Sequence, residues 1–210
     1  MVVVATDRLA LRRLTVDDAP FILRLLNEPS FLQHIGDRGV RNLADATQYL
    51  LSGPLASYDR HGFGLFLVEG KEDGRPIGIC GLLKRDALDD VDVGFAFVPE
   101  SWSKGYAYES VVGTLAYARD THHLARVVAI TSPDNAASIN LLVKLGFYFD
   151  RMVLMPGDKE EVKLFARRLG KALANRLRRG ARSAALAVAG RAAHARGSGR
   201  SRRACPRVLD

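Results

Sequence analysis

Apolar side chains alternate with small or polar ones from Asp92 to Val98, in the middle of the chain. A period of two predicts a half-buried strand, on which Gly94 leaves one face open. After Pro99 a run of small residues leads to apolar positions at helical spacing, which are Tyr108, Val111, Val112, Leu115 and Ala118. The pattern predicts a strand, a turn and a helix that begins near Gly105.

A second strand, turn and helix follow further along the chain. The apolar run Arg126–Ser132 predicts a short strand, which Pro133-Asp134-Asn135 ends. In the helix after it, Ser138 shares a face with three leucines, which are Leu141, Leu142 and Leu145. Gly146 stands where a C-cap glycine ends a helix.

The remaining patterns complete one folded domain over residues 1–169. A capping box at Thr15–Asp18 predicts the start of a first helix, and Asp73-Gly74 predicts a tight hairpin turn. A glycine-bearing loop joins the first two helices. The other predicted elements are the strands Arg8–Leu14, Gly62–Glu69, Pro76–Lys84, Phe147–Leu154 and Glu160–Arg168, and a helix over Asn42–Leu55. We therefore expect an α+β fold.

The turn before the central helix has the residues of an anion site. The first amides of a helix lack partners within it and carry the positive end of its dipole, so they bind phosphate oxygens. Gly105 permits a close approach, and Lys104 adds a cation. Many such turns bind nothing, so a turn without a ligand stays open as the alternative. The chain contains neither a P-loop motif nor a G-x-G-x-x-G motif.

The segments WSKGYAYES (102–110) and NAASINLLVKLGF (135–147) resemble the two signature motifs of the GNAT superfamily of acyl-CoA N-acyltransferases. The likeness is greatest to the branch of ribosomal-protein N-terminal alanine and serine acetyltransferases. Segments in the same order along the chain extend it from Thr6 to about Leu169, namely TDRLALRRLTVDDA, HGFGLFLVE, PIGICGLL and RMVLMPGDKEEVKLFAR.

The resemblance implies a mixed, mostly antiparallel sheet of about seven strands, flanked by helices. This sheet would splay between the Asp92 strand and the Arg126 strand, and acetyl-CoA would be the co-substrate. The pyrophosphate would lie on the amides of Ser103, Lys104, Gly105, Tyr106 and Ala107. The thioester would lie beside Phe97 and Val98, and Asn135 and Ser138 would contact the pantetheine or order the loop.

The resemblance also implies direct attack of an amine on the thioester, without a metal or a covalent intermediate. Asp92 stands where the branch usually carries a glutamate and is the candidate base, with a solvated carboxylate as the alternative; Glu109 is a further candidate. Many members place a tyrosine acid at the position of Leu142, which cannot donate a proton. The acid is then Ser138, water or another residue, and the sequence does not assign it.

Acceptor recognition in this superfamily lies near the loop that joins the first two helices. Residues there that we expect to contact the substrate are Phe31, His34, Asp37 and Arg41. Asp86, Asp89, Asp90 and Asp92 form an acidic cluster, which would favour a cationic acceptor unless it is merely a solvated turn.

Residues 170–210 differ from the rest in composition. They contain 11 Lys or Arg and one acidic residue, which gives this segment a net charge of +10. Residues 1–169 contain 20 Lys or Arg and 22 acidic residues, which gives a net charge of −2. A helix over Lys171–Ala189 followed by disorder is expected. Unspecific RNA or DNA contact, a dispensable solvated extension and an out-of-frame reading all stay open.

Two function classes remain. The first is an N-acetyltransferase that acts on a primary amine, either a protein N-terminus or a small molecule. The second is an acyl-CoA sensor or a nucleic-acid-associated module without turnover.

Cys80 and Cys205 lie in dissimilar segments, so we expect no disulfide and no metal site. Two unpaired cysteines suit a reducing compartment, and we expect the protein in the cytoplasm. No signal peptide or membrane span is indicated, and monomer and homodimer are both open.

Overall fold

The computed structural model describes residues 1–170. The predicted helix Lys171–Ala189 and the residues after it lie outside the described residues. In the described part the α+β class is confirmed.

One open sheet of eight strands carries the fold, one strand more than predicted. Its order is β1-β2-β3-β4-β5-β6-β8-β7, and every neighbouring pair is antiparallel except β5 and β6. The additional strand β1 is an edge strand that pairs with β2. The strands are β1 (Val2–Ala5), β2 (Leu9–Arg13), β3 (Leu65–Gly70), β4 (Pro76–Leu83), β5 (Asp92–Phe97), β6 (Arg126–Thr131), β7 (Tyr148–Leu154) and β8 (Glu161–Arg168).

Six α-helices connect the strands in residues 1–170. Their bounds are α1 (Ala19–Leu26), α2 (Pro29–His34), α3 (Leu43–Leu50), α4 (Ala56–His61), α5 (Tyr106–Asp120) and α6 (Ala136–Lys144). Helix α2 lies in the segment that was expected to be a loop. The predicted helix Asn42–Leu55 ends early, at Leu50, and a π-helical turn over Leu51–Leu55 joins it to α4. This turn contains Gly53 and Pro54, and proline cannot donate to an α-helical ladder.

Both faces of the sheet are buried. Along β3, Phe66 and Val68 pack on the face that α5 covers, while Leu65 and Leu67 pack on the other face with α1 and α3. Each of these side chains stabilises the fold by about 1.5–3 kcal/mol relative to exposure. Because both faces of β3 are buried, successive side chains are all apolar, and the sequence of β3 is a continuous apolar run.

The sheet opens between β5 and β6. Asp92 pairs with Val128 in parallel register, and no later residue of β5 has a partner on β6. On its other edge β5 pairs with β4 along its whole length, from Asp92 to Phe97. A gap therefore starts next to Asp92 and widens toward Phe97, as the resemblance implied.

Candidate active site

The turn that precedes α5 is built for backbone approach. Gly105 has φ 79° and is the N-cap of α5, and Ser103 is also left-handed with φ 59°. The 15-residue helix begins at Tyr106, so its first amides lie next to these two residues. Lys104 is exposed between them. The predicted anion site therefore has the expected geometry, while what it binds stays a prediction.

Residues near the N-terminus of the chain hold this turn in place. Glu109, in the first turn of α5, accepts hydrogen bonds from the Thr6 hydroxyl (2.6 Å) and from the Arg8 amide (2.8 Å). The Arg8 guanidinium donates to Glu109 Oε2 (2.7 Å) and to the carbonyl of Lys104 (3.0 Å). It also lies over the Tyr106 ring, 4.7 Å from its centroid.

Glu109 is engaged by this contact. Burial acts to raise the pKa of Glu109, but the hydrogen bonds from Thr6 and Arg8 outweigh it and lower the pKa. Because both its oxygens accept hydrogen bonds, Glu109 is better suited to positioning the turn than to removing a proton. Sequence reasoning did not find the contact, since no spacing rule relates residues that are 101 positions apart.

The open edge of β5 carries the residues predicted to lie beside a thioester. The Val98 amide donates to Ile77 on β4 (3.1 Å), so the Phe97 carbonyl, in the same trans peptide, points toward the gap. There it accepts from the indole Nε1 of Trp102 (2.8 Å). The side chains of Phe97 and Val98 are buried. Trp102 thus ties the start of the phosphate turn to the end of β5.

Asn135 and Ser138 meet at the start of α6. The Asn135 side-chain oxygen accepts from the Ser138 amide (3.0 Å) and caps this helix. Asn135 therefore orders the loop after β6, one of the two roles that the resemblance implied. Leu142 is fully buried in the core. The Leu142 side chain has no proton to give, and the Ser138 hydroxyl forms no hydrogen bond with residues 1–170.

Asp92 is a buried carboxylate at the closed end of the gap. Only 1% of Asp92 is exposed, and its Oδ2 accepts from Arg85 Nε (2.7 Å). Its Oδ1 has no hydrogen-bond partner of normal geometry in the described part of the chain, although the Ile130 amide lies close. Burial raises the pKa of Asp92, and Arg85 opposes the increase only in part. A solvated carboxylate is therefore the wrong interpretation of this residue.

Two of the four expected acceptor residues lie at the gap. Phe31 packs in the same cluster as Val98, and His34 Nδ1 lies 3.4 Å from Ser132 Oγ and 3.8 Å from Asp134 Oδ1. Helix α2 therefore contacts the loop after β6 through His34, and through Phe31 it packs in the cluster that includes the residue after β5.

The other two acceptor candidates pair with each other. Arg41 forms an exposed ion pair with Asp37, and the Asp37 carboxylate also accepts from the Gly39 amide (2.8 Å). Asp37 keeps a lowered pKa because Arg41 donates to it. Neither residue forms a hydrogen bond or an ion pair with β5 or β6 in residues 1–170, so the structure does not bring them together with Phe31 and His34.

The acidic cluster is partly neutralised in the folded chain. Asp90 forms an ion pair with Arg126, and Asp92 pairs with Arg85. These pairings weaken the expectation of a cationic acceptor.

The prediction that Gly94 leaves one face of β5 open is wrong. The Leu83 side chain covers this glycine, and a Cβ there would lie 2.6 Å from Leu83 Cδ1.

A mostly antiparallel sheet that splays beside a glycine-capped helix N-terminus defines the acyl-CoA N-acyltransferase class of fold. Residues 8–148 match the family described as an acetyltransferase (GNAT) domain, and this is more than half of the chain. The chain belongs to the GNAT acetyltransferase family. It is an acetyl-CoA-dependent N-acetyltransferase.

One relative agrees with the family match, and two solved structures share the fold. The uncharacterised N-acetyltransferase YoaA from Bacillus subtilis (strain 168) is 26% identical over 147 residues, which span 69% of this chain and 82% of YoaA. An acetyltransferase structure from Agrobacterium tumefaciens str. C58 has TM-score 0.66 and 24% identity, over 78% of this chain and 92% of that one. The structure of RimL, a ribosomal L7/L12 α-N-protein acetyltransferase, was solved in complex with coenzyme A. It has TM-score 0.69 and 15% identity over 80% and 98% of the two chains.

Within residues 1–170, no helix is long and apolar enough to cross a membrane. The same residues contain no group of three or more His, Cys, Asp or Glu side chains that could hold a metal ion.

Proposed function

We propose that this protein transfers the acetyl group of acetyl-CoA to a primary amine by direct attack, without a covalent enzyme intermediate. The amine nitrogen forms the C–N bond at the thioester carbonyl, and the C–S bond breaks. The ammonium group loses two protons overall, one of which the departing thiolate takes up. The gap beside β5 is the observation that carries the proposal, because the extended pantetheine arm of acetyl-CoA can lie there with its thioester beside Phe97 and Val98, in the gap that narrows toward Asp92.

The turn before α5 would bind the pyrophosphate of acetyl-CoA through the amides of residues 103–107. The left-handed conformations of Ser103 and Gly105 support this placement, because successive amides in such a turn point toward one anion. The pantetheine would lie in the gap beside Phe97 and Val98. Displacement of the Trp102 indole would free the Phe97 carbonyl for an amide of the pantetheine arm.

Asp92 would act as the base. A completely buried acceptor without a hydrogen-bond partner of normal geometry is rare, and Asp92 Oδ1 is suited to hold the end of a water chain that relays a proton from the amine. Its raised pKa makes the ionised carboxylate a stronger base than an ordinary aspartate. Arg85 would keep the carboxylate oriented through Oδ2.

Ser138 would supply the proton to the departing thiolate, either directly or through water. Its hydroxyl has no partner among residues 1–170, and the cap formed by Asn135 fixes its position. The buried Leu142 also favours a second candidate function, an acyl-CoA sensor without turnover, since the position offers no proton donor.

The acceptor would be a protein N-terminus or a small amine. Because Cys80 is a buried free thiol, the reducing cytoplasm is the proposed location.

The test is thiol release from acetyl-CoA with a panel of small amines and of peptides that begin with Ala, Ser or Met. The wild-type chain is compared with Gly105→Glu, which places bulk and negative charge in the phosphate turn. We expect amine-dependent release in the wild type and none in the variant. Acetyl-CoA binding without release for any amine would favour the sensor, and absence of binding would contradict the assignment of the turn.

A further inference from the structure

A surface cavity of about 240 Å³ lies where β3 and β4 meet the π-helical turn and α4. Its lining is partly apolar and partly polar. The apolar part comes from Pro54, Leu65 and Leu83, and hydroxyl groups come from Tyr49, Ser52 and Ser57. The cavity lies on the side of the sheet that α1 and α3 cover. None of the roles assigned so far uses it.

The cations that line this cavity are Arg60 and Lys84, and His61 adds an imidazole. No Asp or Glu side chain is among the lining residues. Lys84 Nζ donates to the carbonyls of Leu88 (2.8 Å) and Asp89 (2.9 Å), which leaves one of its three hydrogens unused. Arg60 is exposed and forms no hydrogen bond or ion pair with residues 1–170. A cation without a partner beside a partly apolar cavity is available to a ligand.

Tyr49 adds a neutral donor to the same wall. Burial raises the pKa of the Tyr49 hydroxyl, so the phenol stays protonated near neutral pH. Arg38 and Arg85 are close enough to oppose that increase, which places two more cations near the hydroxyl. An anion in the cavity would therefore meet cations and a hydroxyl donor.

The cavity adjoins the reaction centre through one side chain. Leu83 lines it, pairs with Asp92 across the β4–β5 ladder, and covers Gly94. Neighbouring strands lie about 5 Å apart, so the backbone at Leu83, on the cavity wall, is about that far from the backbone at Asp92. Arg85 is close to Asp92 and to the cavity, because it donates a hydrogen bond to Asp92 and its charge acts to lower the pKa of Tyr49 on the cavity wall.

We propose that this cavity holds the anionic end of the acceptor, so that the substrate is a primary amine with a carboxylate or phosphate group several bonds away. The inference rests on the proposed function, since it names the acceptor of that same site. The ammonium end would lie toward the Asp92 carboxylate, and the anion would lie against Arg60. A short apolar connection would pack on Leu65 and Leu83.

The test measures binding to the full chain saturated with coenzyme A. Four probes have the same five-carbon amine: 5-aminopentanoate, 5-aminopentyl phosphate, pentylamine and 1,5-diaminopentane. We expect at least one anionic probe to bind roughly tenfold more tightly than pentylamine, the factor of one charge-assisted hydrogen bond. The better of the two anionic probes tells carboxylate from phosphate.

The variant Arg60→Gln removes the cation without changing the fold, because the side chain is exposed. We expect it to abolish the preference for the anionic probe, and Arg60→Lys to restore part of it. Arg75→Gln, an exposed cation in the β3–β4 turn, is the matched control and should keep the preference. Equal binding of all probes, a preference for the diamine, or a preference that survives Arg60→Gln would overturn the proposal. Thiol release tests the enzyme function separately.

Discussion

Arg8 binds Glu109 through its backbone amide (2.8 Å) and through its guanidinium (2.7 Å), across 101 positions of sequence. The same guanidinium also reaches the carbonyl of Lys104. One side chain thus connects the start of β2 to the first turn of α5 and to the turn that precedes it. The amides proposed to bind pyrophosphate are therefore held in place by residues outside their own motif.

Glu109→Ala should weaken acetyl-CoA binding without removing any group that contacts the ligand. We expect the Kd for acetyl-CoA to rise roughly fivefold, because an anchored turn loses less entropy on binding than a free one. Glu72→Ala, an exposed carboxylate in the β3–β4 turn, should leave the Kd unchanged. Calorimetric titration of both variants gives the comparison. An unchanged Kd for Glu109→Ala would show that the turn keeps its shape without the anchor.

Gly105→Ala tests the backbone conformation of the phosphate turn. At φ 79° an alanine is strained by about 1–2 kcal/mol, and its Cβ would also lie 3.4 Å from Arg8 Nη2. Gly74→Ala is matched to it, with φ 67° and nothing within 4 Å of the added Cβ.

Both variants should therefore lose similar stability in urea unfolding, but only Gly105→Ala should raise the Kd for acetyl-CoA, by about tenfold. If the two alanine variants bind acetyl-CoA equally well, the turn is not the phosphate site. If Gly105→Ala alone binds poorly while stability falls equally, the effect belongs to the site and not to general unfolding.

Hydrophobic periodicity predicted the parts of the site that lie on regular elements. The alternation along Asp92–Phe97 placed β5, and Gly146 with φ 79° ends α6 as predicted. The gap itself followed from the resemblance, because a pattern of single strands does not say which pairs separate.

The missed parts depend on tertiary contacts. Helix α2 has six residues, too few for a helical period, and a helix of this length is stable only through packing, here of Phe31. The burial of Asp92 could not be seen either, since its counterion Arg85 comes from an irregular loop. The anchor from Arg8 to Glu109 joins distant segments without any spacing signal.

Asp92→Asn should decrease kcat about 100-fold or more, the usual contribution of a positioned general base, with little change in acetyl-CoA binding. The base is active only when it is ionised, so wild-type kcat/KM should rise as pH increases through the pKa of Asp92. Because burial raises this pKa, the rise should lie above the usual range of an aspartate. The variant should lack that rise.

Asp86→Asn, an exposed carboxylate in the loop that precedes β5, is the control and should behave like the wild type. Melting temperatures must accompany the kinetics, because Asp92→Asn also leaves Arg85 without its counterion. A stable variant that keeps the full rate would exclude Asp92 as the base. A loss of rate with the wild-type pH profile would indicate that Asp92 only positions other groups.

Asp18→Asn tests a stabilising ion pair away from the site. Asp18 is 7% exposed and accepts two hydrogen bonds from Arg12, at 2.9 and 2.8 Å, and one from the Thr15 amide at 2.8 Å. Burial acts to raise the pKa of Asp18, but these hydrogen bonds outweigh it and the pKa is lowered. At pH 7 the variant should lose about 2–3 kcal/mol of unfolding free energy.

A lowered pKa fixes the pH range in which this stability is present. The folded chain holds the Asp18 carboxylate more strongly than the unfolded chain, so the contribution is complete above the usual carboxyl pKa and disappears as pH falls through the lowered value. Urea unfolding should therefore show a large difference between wild type and Asp18→Asn at pH 7 and a small one near the acid limit. Asp17→Asn, its exposed neighbour, should differ little at any pH. If Asp18→Asn lost the same unfolding free energy at pH 7 and near the acid limit, the negative charge of Asp18 would not be what stabilises the contact between Arg12 and the start of α1.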